Sequence, residues 1–255
     1  MLFSEIVYGP IHSRRLGVSL GVNLMPLQNK LCSFNCVYCE CGFNTPVTAP
    51  QLPTVEQVSE ALEQRLCSLT EQHITPDVIT FSGNGEPTMH PRFADIIGET
   101  CRLRDVYCPQ AKVAVLSNST QLFREDVVEA LKRVDQRILK LDSAIDATMR
   151  RIDQPVNAHL TVERIVELLQ QFDGDFTLQT CFLRGQHDGV TIDNTTEEEL
   201  TAWYRVVDRL RPRHIMIYVI DRATPVETLQ KIEPATMQAI ADHLRGEGFD
   251  VTVSV

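Results

Sequence analysis

The chain has 255 residues, with 24 Lys and Arg against 34 Asp and Glu, and a formal net charge of −10 at pH 7. Its 43% hydrophobic and 23% charged residues are typical of a folded globular protein and exclude disorder as the main state. Its aliphatic stretches are much shorter than the ~18 apolar residues that a membrane-spanning helix needs. No basic segment followed by an apolar core opens the chain, so we expect a cytoplasmic protein without a membrane segment.

Short β-rich segments alternate with amphipathic segments along the chain. Thr54 with Gln57, and Thr196 with Glu199, fit capping boxes at the start of two helices. A strand followed by a helix, repeated six times, predicts an α/β fold, a partial (β/α)6 TIM-like barrel of parallel strands. No repeat, low-complexity run or linker divides residues 1–255, so we expect a single domain. The predicted strands are 18–24, 78–81, 113–117, 138–141, 176–182 and 214–219, with an extra strand within 249–255.

Three cysteines follow the first predicted strand in a C-x3-C-x2-C pattern: Cys32, Cys36 and Cys39. Soft thiolates at this density select zinc, copper(I) or an iron–sulfur cluster. Zinc normally requires a fourth ligand, and Cys41 has an unusual spacing for that role. Three thiolates therefore favour a 4Fe-4S cluster with one iron open to a small ligand. This pattern after the first strand, with the aromatic Tyr38 before the last cysteine, resembles the radical S-adenosylmethionine (SAM) superfamily.

A glycine-rich turn with one acid follows the second predicted strand. Residues 82–88, Ser-Gly-Asn-Gly-Glu-Pro-Thr, resemble the Gly-Gly-Glu-Pro motif with which that superfamily binds the methionine amino group of SAM. Glycines let backbone carbonyls approach an ammonium group, and Glu86 can pair with its charge. The chain departs from the motif at Asn84, and a plain turn is the alternative interpretation. The position after a strand favours Gly83, Asn84, Gly85 and Glu86 as SAM-binding residues, together with Tyr38 of the cysteine loop.

Polar residues at the ends of the next two predicted strands complete the candidate site. Ser117 and Asn118 resemble the polar pair that contacts SAM in many members of the superfamily, with a simple turn as the alternative. Lys140 and Asp142 share one face of their strand, where either residue can hold the ribose hydroxyls or the carboxylate of SAM. A mutual ion pair is the alternative role for these two residues.

Segments 9–23, 152–155 and 218–222 resemble the wyosine-synthase-like branch of the superfamily, related to tRNA 4-demethylwyosine synthase. The chain lacks the flavodoxin domain of that branch, and it has no cysteine before Cys32 to hold a second cluster upstream. An auxiliary cluster from Cys67, Cys101 and Cys108 is the less favoured alternative to structural thiols. Chemistry is therefore transferred from the branch more safely than substrate.

The resemblance implies a radical SAM enzyme with a 4Fe-4S cluster and S-adenosylmethionine as cofactors. Reductive cleavage of SAM would give a 5′-deoxyadenosyl radical that abstracts hydrogen from an unidentified small-molecule or protein substrate. An electron donor such as flavodoxin or ferredoxin is implied as a partner, and no residue is identified as acting on the substrate. The alternatives are a tRNA- or RNA-modifying enzyme, which the net charge of −10 does not favour, and a zinc-binding non-enzymatic module.

Overall fold

A computed structural model describes residues 2–255 of the chain as a mixed α/β fold in which most strands are parallel. The predicted α/β fold class of a partial barrel is confirmed. The strands are β1 (Val7–Ser13), β2 (Gly17–Val22), β3 (Val78–Phe81), β4 (Lys112–Ser117), β5 (Gln136–Lys140), β6 (Thr177–His187), β7 (Val190–Asp193), β8 (His214–Val219), β9 (Gln230–Lys231) and β10 (Val251–Ser254). The helices are α1 (Val55–Glu71), α2 (Phe93–Tyr107), α3 (Glu125–Arg133), α4 (Asp146–Ile152), α5 (Val162–Leu169), α6 (Glu197–Leu210) and α7 (Pro234–Gly246).

The chain forms two compact units, and each contains several separate chain segments. The first unit comprises the residues up to Cys32, then Asn44–Ser117 and Gln121–Arg137. Its strands β2, β3 and β4 are parallel neighbours, and β1 pairs antiparallel with β2 at the edge. α1 packs on α2, and α2 packs on α3. Parallel strands place their carboxyl ends at one edge, where the loops that follow β3 and β4 begin.

The second unit comprises Ser33–Phe43, Asn118–Thr120 and Ile138–Val255. In it β5, β6, β8 and β10 are parallel neighbours in that order. β6 continues beyond its parallel partners and pairs antiparallel with β7 and β9. Phe182 of β6 packs edge-on against Trp203 of α6, with ring centroids 5.3 Å apart, which fixes this helix on the sheet.

The capping boxes differ in outcome. At α1 both reciprocal bonds of Thr54 and Gln57 form, as predicted. At α6 Thr196 accepts the backbone N–H of Glu199, but the carboxylate of Glu199 instead accepts the hydroxyl of Ser143 at 2.7 Å. The prediction of the second capping box was therefore only half correct, because the buried hydroxyl of Ser143, distant in sequence, donates to the carboxylate of Glu199.

Within residues 2–255, no helix combines the length and the apolar composition needed to cross a lipid bilayer. The single-domain prediction stays a prediction, because the two units interleave along the chain.

Candidate active site

In the first unit, the residue before the first motif cysteine is joined to the glycine-rich loop by its backbone. The N–H of Leu31 donates to the carbonyl of Asn84 at 2.9 Å, and the N–H of Glu86 donates to the carbonyl of Leu31 at 3.2 Å. These bonds form a parallel bridge between Leu31 and Gly85. The start of the cysteine loop and the Gly–Glu loop, more than fifty positions apart, are thus held together at Leu31, the residue before Cys32.

Close backbone approach explains both glycines of this loop. Gly83 has φ +133°, and a Cβ atom there would lie 2.6 Å from Oδ1 of Asn23. Gly85 has φ +148°, and a Cβ atom there would lie 1.7 Å from the carbonyl oxygen of Leu31. Side chains are excluded at both positions by contact and by conformation, which only glycine adopts without strain.

Glu86 is buried, with 3% of its surface exposed, and begins a short 3₁₀ turn, Pro87–Met89. One carboxylate oxygen, Oε1, accepts both the backbone N–H of Thr88 at 3.1 Å and the hydroxyl of Thr88. These bonds fix the orientation of the carboxylate. A buried and oriented negative charge at this loop suits an ammonium ligand.

His90 ends the same turn and is buried. Its Nε2 lies 2.9 Å from the carbonyl of Pro53, and its Nδ1 accepts the backbone N–H of Arg92 at 3.1 Å. These partners require a neutral ring with the proton on Nε2. Burial lowers the pKa of His90, which is consistent with the neutral form.

In the second unit, the cysteine loop lies along the chain that leaves α4. Four backbone hydrogen bonds join the two segments: Asn35 donates to Asp153 at 2.8 Å and to Gln154 at 3.1 Å, Val37 donates to Ile152 at 2.9 Å, and Val156 donates to Ser33 at 2.9 Å. The segment 152–155, noted in the sequence only for its resemblance to one branch, is therefore the support on which the loop is built.

Asp153 also contacts a motif cysteine through its side chain. The thiol of Cys36 donates to Oδ1 of Asp153 at 3.3 Å, and both residues are buried. Burial, and then the charge of the neighbouring Asp142, raises the pKa of Asp153 well above its usual range. Sequence reasoning did not single out Asp153 as a site residue; the only signal was its place in segment 152–155.

The turn after β4 is tied to the same loop. Nδ2 of Asn118 donates to the hydroxyl of Ser33 at 2.9 Å, and Oδ1 of Asn118 accepts both the N–H and the hydroxyl of Thr120. The hydroxyls of Ser33 and Thr120 are 2.6 Å apart. Ser119, which lies between Asn118 and Thr120 in sequence, has φ +69°, and the hydrogen bonds of its two neighbours hold the backbone in this conformation. Asn118 thus organises the residue next to Cys32 in sequence, while Ser117 is buried at the end of β4 in the first unit.

Asp142 connects three elements of the second unit. The hydroxyl of Tyr38 and the ammonium of Lys140, at 3.0 Å, both donate to Oδ2, and the N–H of Cys181 donates to Oδ1 at 2.9 Å. Nζ of Lys140 lies 4.5 Å from the ring centroid of Tyr38. Burial lowers the pKa of Lys140, but the negative groups around it, of which Asp142 has the largest effect, together outweigh burial and raise that pKa well above its usual range. The ion pair, which the sequence left as an alternative, is thus formed.

The roles of all the candidate residues toward the cluster and SAM stay predictions, since the contacts that the structure shows for them are with the protein itself. Asn84 is fully buried, with its side chain bonded to backbone groups. Thr120 and Asn23 also shape the loops, and the only signal in the sequence for Asn23 was its place in segment 9–23.

The cysteines suit a cluster through their chemistry. None of the eight, all within the described part of the chain, takes part in a disulfide. Across residues 2–255, no three His, Cys, Asp or Glu side chains are grouped to hold a single metal ion. Burial raises the pKa of the Cys101 and Cys108 thiols, which is typical of structural cysteines.

Curated relatives match large parts of the chain. It is 33% identical over 187 residues to a UPF0026 protein of Helicobacter pylori strain 26695, covering 72% of this chain and 58% of the relative. It is 28% identical over 242 residues to a protein named GTPase Obg of Brachyspira hyodysenteriae, covering 93% of this chain and 33% of that one. The chain thus spans between a third and three fifths of the length of these relatives.

Solved structures share the fold at low sequence identity. A radical SAM methyltransferase from Sphaerobacter thermophilus gives a TM-score of 0.66 at 15% identity, covering 92% of this chain and 65% of that one. SuiB of Streptococcus suis bound to S-adenosylmethionine gives 0.63 at 12% identity, covering 88% and 48%. TYW1 with a lysine–pyruvate adduct bound gives 0.63 at 15% identity, covering 89% and 73%.

The family is decided by the sequence itself. The model of the radical SAM superfamily matches residues 29–189, which is more than half of the chain and includes the cysteine loop and the Gly–Glu loop. Members of this family bind a 4Fe-4S cluster and SAM, so the predicted cofactors are confirmed, whereas the wyosine-synthase-like branch stays a prediction. The chain belongs to the radical SAM superfamily.

Proposed function

We propose that this chain is a radical SAM enzyme that cleaves SAM reductively and abstracts hydrogen from a small-molecule or protein substrate. The observation that carries the proposal is the backbone bridge between Leu31 and Gly85, which fixes Cys32 next to the Gly–Glu loop. A zinc-binding scaffold has no need to hold an oriented, buried carboxylate beside its first cysteine.

Different residues bind the cluster and SAM. The thiolates of Cys32, Cys36 and Cys39 hold the cluster, because thiolate is the ligand type that iron–sulfur clusters require. Glu86 pairs with the amino group of SAM. Glycine at position 85 allows the close approach of Leu31 that holds the Gly–Glu loop in place. When bound, the cluster and SAM together supply a one-electron cleavage that yields methionine and a 5′-deoxyadenosyl radical. The protein holds its ligands rigidly and limits access of water, since the cofactor carries the chemistry.

The charge distribution supports a small-molecule or protein substrate over RNA. The basic run 209–213 is neutralised by ion pairs, namely Arg209 with Glu163 at 2.8 Å, Arg211 with Asp208 at 3.0 Å and Arg213 with Asp175 at 2.7 Å. Phosphate binding would have to break these pairs, and the counterion release that drives RNA binding needs uncompensated cations. We propose a small electron-transfer protein, such as flavodoxin or ferredoxin, as the reductant, and a cytoplasmic location.

The test is anaerobic reconstitution of the wild type, the Cys36→Ala variant and the Cys101→Ala variant. Iron and sulfide are measured, dithionite and SAM are added, and 5′-deoxyadenosine is measured by chromatography. Cys101→Ala is the matched control, because Cys101 is a half-buried cysteine of α2, outside the motif.

We expect about four irons per wild-type chain, with formation of 5′-deoxyadenosine. Cys36→Ala should lose both, and Cys101→Ala should keep both. Zinc without iron, or intact SAM in the reduced wild type, would overturn the proposal. RNA that copurifies and binds with a steep salt dependence would replace the substrate class by RNA.

A further inference from the structure

Asn84, the residue that departs from the Gly-Gly-Glu-Pro pattern, has a partner for every polar atom it carries. It is fully buried, with 0% of its surface exposed. Its backbone N–H donates to Oδ1 of Asn23 at 3.0 Å, and its carbonyl accepts from Leu31 at 2.9 Å. Its side-chain Oδ1 accepts the N–H of Phe3 at 2.8 Å, and Nδ2 donates to the carbonyls of Phe3 at 2.8 Å and Pro26 at 2.9 Å.

Only an amide satisfies this set of partners. Phe3 offers one donor and one acceptor, and Pro26 offers a second acceptor, which matches one carbonyl oxygen and two N–H groups. Aspartate at position 84 would place a carboxylate against two carbonyl oxygens. Glycine would leave the N–H and carbonyl of Phe3 and the carbonyl of Pro26 without this partner. The asparagine is thus matched to the amino-terminal segment of this chain.

The same amino-terminal segment is anchored on the other side of Gly83. The ring of Phe3 stacks on Tyr8, with centroids 3.7 Å apart, and the hydroxyl of Tyr8 lies 2.8 Å from that of Ser82. A Cβ atom at Gly21 would lie 2.1 Å from the Tyr8 ring, so the ring packs directly on β2. Residues 3–8 therefore contact the Gly–Glu loop both before and after Gly83.

We infer that Asn84 is a positioning residue that makes the amino-terminal segment 3–8 part of the support for the SAM-binding loop. Through Asn84 this segment fixes the peptide that carries Gly85 and, one residue on, Glu86. The inference rests on the proposed function, since it assigns Glu86 to the amino group of SAM. It adds that the affinity for SAM depends on the backbone N–H and carbonyl of Phe3, a residue remote in sequence from both motifs.

The test compares Asn84→Gly, which restores the family residue, with Phe3→Ala as the matched control. Phe3→Ala removes the ring stacking but keeps both backbone groups that bond to Asn84. Binding of SAM is measured by equilibrium dialysis on reconstituted, unreduced protein. Backbone hydrogen exchange of peptides covering residues 2–8 and 83–86 is measured on the same variants without cluster or SAM.

For Asn84→Gly we expect exchange in both peptides to accelerate by about tenfold or more and the Kd for SAM to rise by about tenfold. The iron content of this variant, and its kcat for SAM cleavage at saturating SAM, should stay close to the wild-type values. Phe3→Ala should keep its Kd within about twofold. Asn84→Ser, which keeps one hydroxyl, should give a smaller rise of the same sign and replaces Asn84→Gly if that variant fails to fold.

Faster exchange with an unchanged Kd would overturn the positioning role and leave a purely structural clamp. Unchanged exchange and unchanged Kd would overturn the clamp itself. A wild type that binds no SAM would overturn the proposed function and the positioning role with it, whereas a wild type that binds and cleaves SAM isolates the test of Asn84.

Discussion

Replacing Gly85 by alanine tests whether the Gly–Glu loop and the cysteine loop depend on one close backbone contact. The new Cβ atom would lie 1.7 Å from the carbonyl oxygen of Leu31, so the two chains must separate. Separation removes the two backbone bonds of the bridge, at about 0.5–1.5 kcal/mol each. The backbone at φ +148° adds about 1–3 kcal/mol of strain for any residue with a side chain.

We therefore expect Gly85→Ala to lose about 2–6 kcal/mol of stability in total, or about 4–24 °C in Tm. Iron loading should fall as well, because Leu31 precedes Cys32. The matched control is Gly98→Ala within α2, where a Cβ atom meets nothing within 4 Å. That variant should gain about 0.5–1 kcal/mol from helix propensity. Tm is measured by circular dichroism during thermal unfolding, and iron loading is measured by iron analysis. An unchanged Tm with full iron loading in Gly85→Ala would refute the structural role of the backbone bridge between Leu31 and Gly85.

Three further predictions concern buried charges. Burial lowers the pKa of His90, so the contribution of its neutral ring to the free energy of unfolding is fully present above about pH 6.5 and is lost as the pH falls through the lowered pKa. The urea midpoint of the wild type should therefore drop more between pH 7.5 and 5.5 than that of His90→Gln. Asp142→Asn leaves Lys140, whose side chain is only 15% exposed, without its counter-charge and should cost about 3–5 kcal/mol, measured by urea unfolding. Glu86→Gln keeps an acceptor for the turn but loses the charge, and its Kd for SAM should rise by about 10–100-fold in equilibrium dialysis.

Exposed counterparts serve as controls for these variants. Asp208→Asn removes one member of an exposed ion pair and should cost less than about 1 kcal/mol. Glu129→Gln, on the exposed face of α3, should leave the Kd for SAM unchanged. Equal losses in Asp142→Asn and Asp208→Asn would contradict the buried pair. Identical pH slopes in wild type and His90→Gln would show that His90 is not the group responsible, and an unchanged Kd in Glu86→Gln would remove Glu86 from the SAM site.

Local signals in the sequence were sufficient to predict most of the parallel strands and the chemistry of the loops. Branched and aromatic residues between turn residues located the strands at 78–81 and 214–219, which match β3 and β8. The capping box of Thr54 and Gln57 formed as predicted, because both partners lie within one helical turn. The cysteine spacing and the Gly–Glu motif led to the family for the same reason.

Contacts between residues that are distant in the chain could not be predicted from the sequence. No strand was predicted for Val7–Ser13, yet β1 forms because β2 offers an open antiparallel edge. Glu199 was assigned to a cap and is bonded to Ser143. Asn84 was treated as a departure from a motif, although Phe3 provides it with two bonds. In each case a contact formed only after folding decided the role of the residue.

The sequence by itself determined the fold class, the family and the ligand types, because periodicity, capping and cysteine spacing act over a few neighbouring residues. Only the tertiary structure decided how the loops are held. The contacts that hold them join residues tens of positions apart: Asp153 with Cys36, Leu31 with Gly85, and Phe3 with Asn84. Buried polar groups must find partners wherever the fold brings them, and no local pattern specifies which partner that will be.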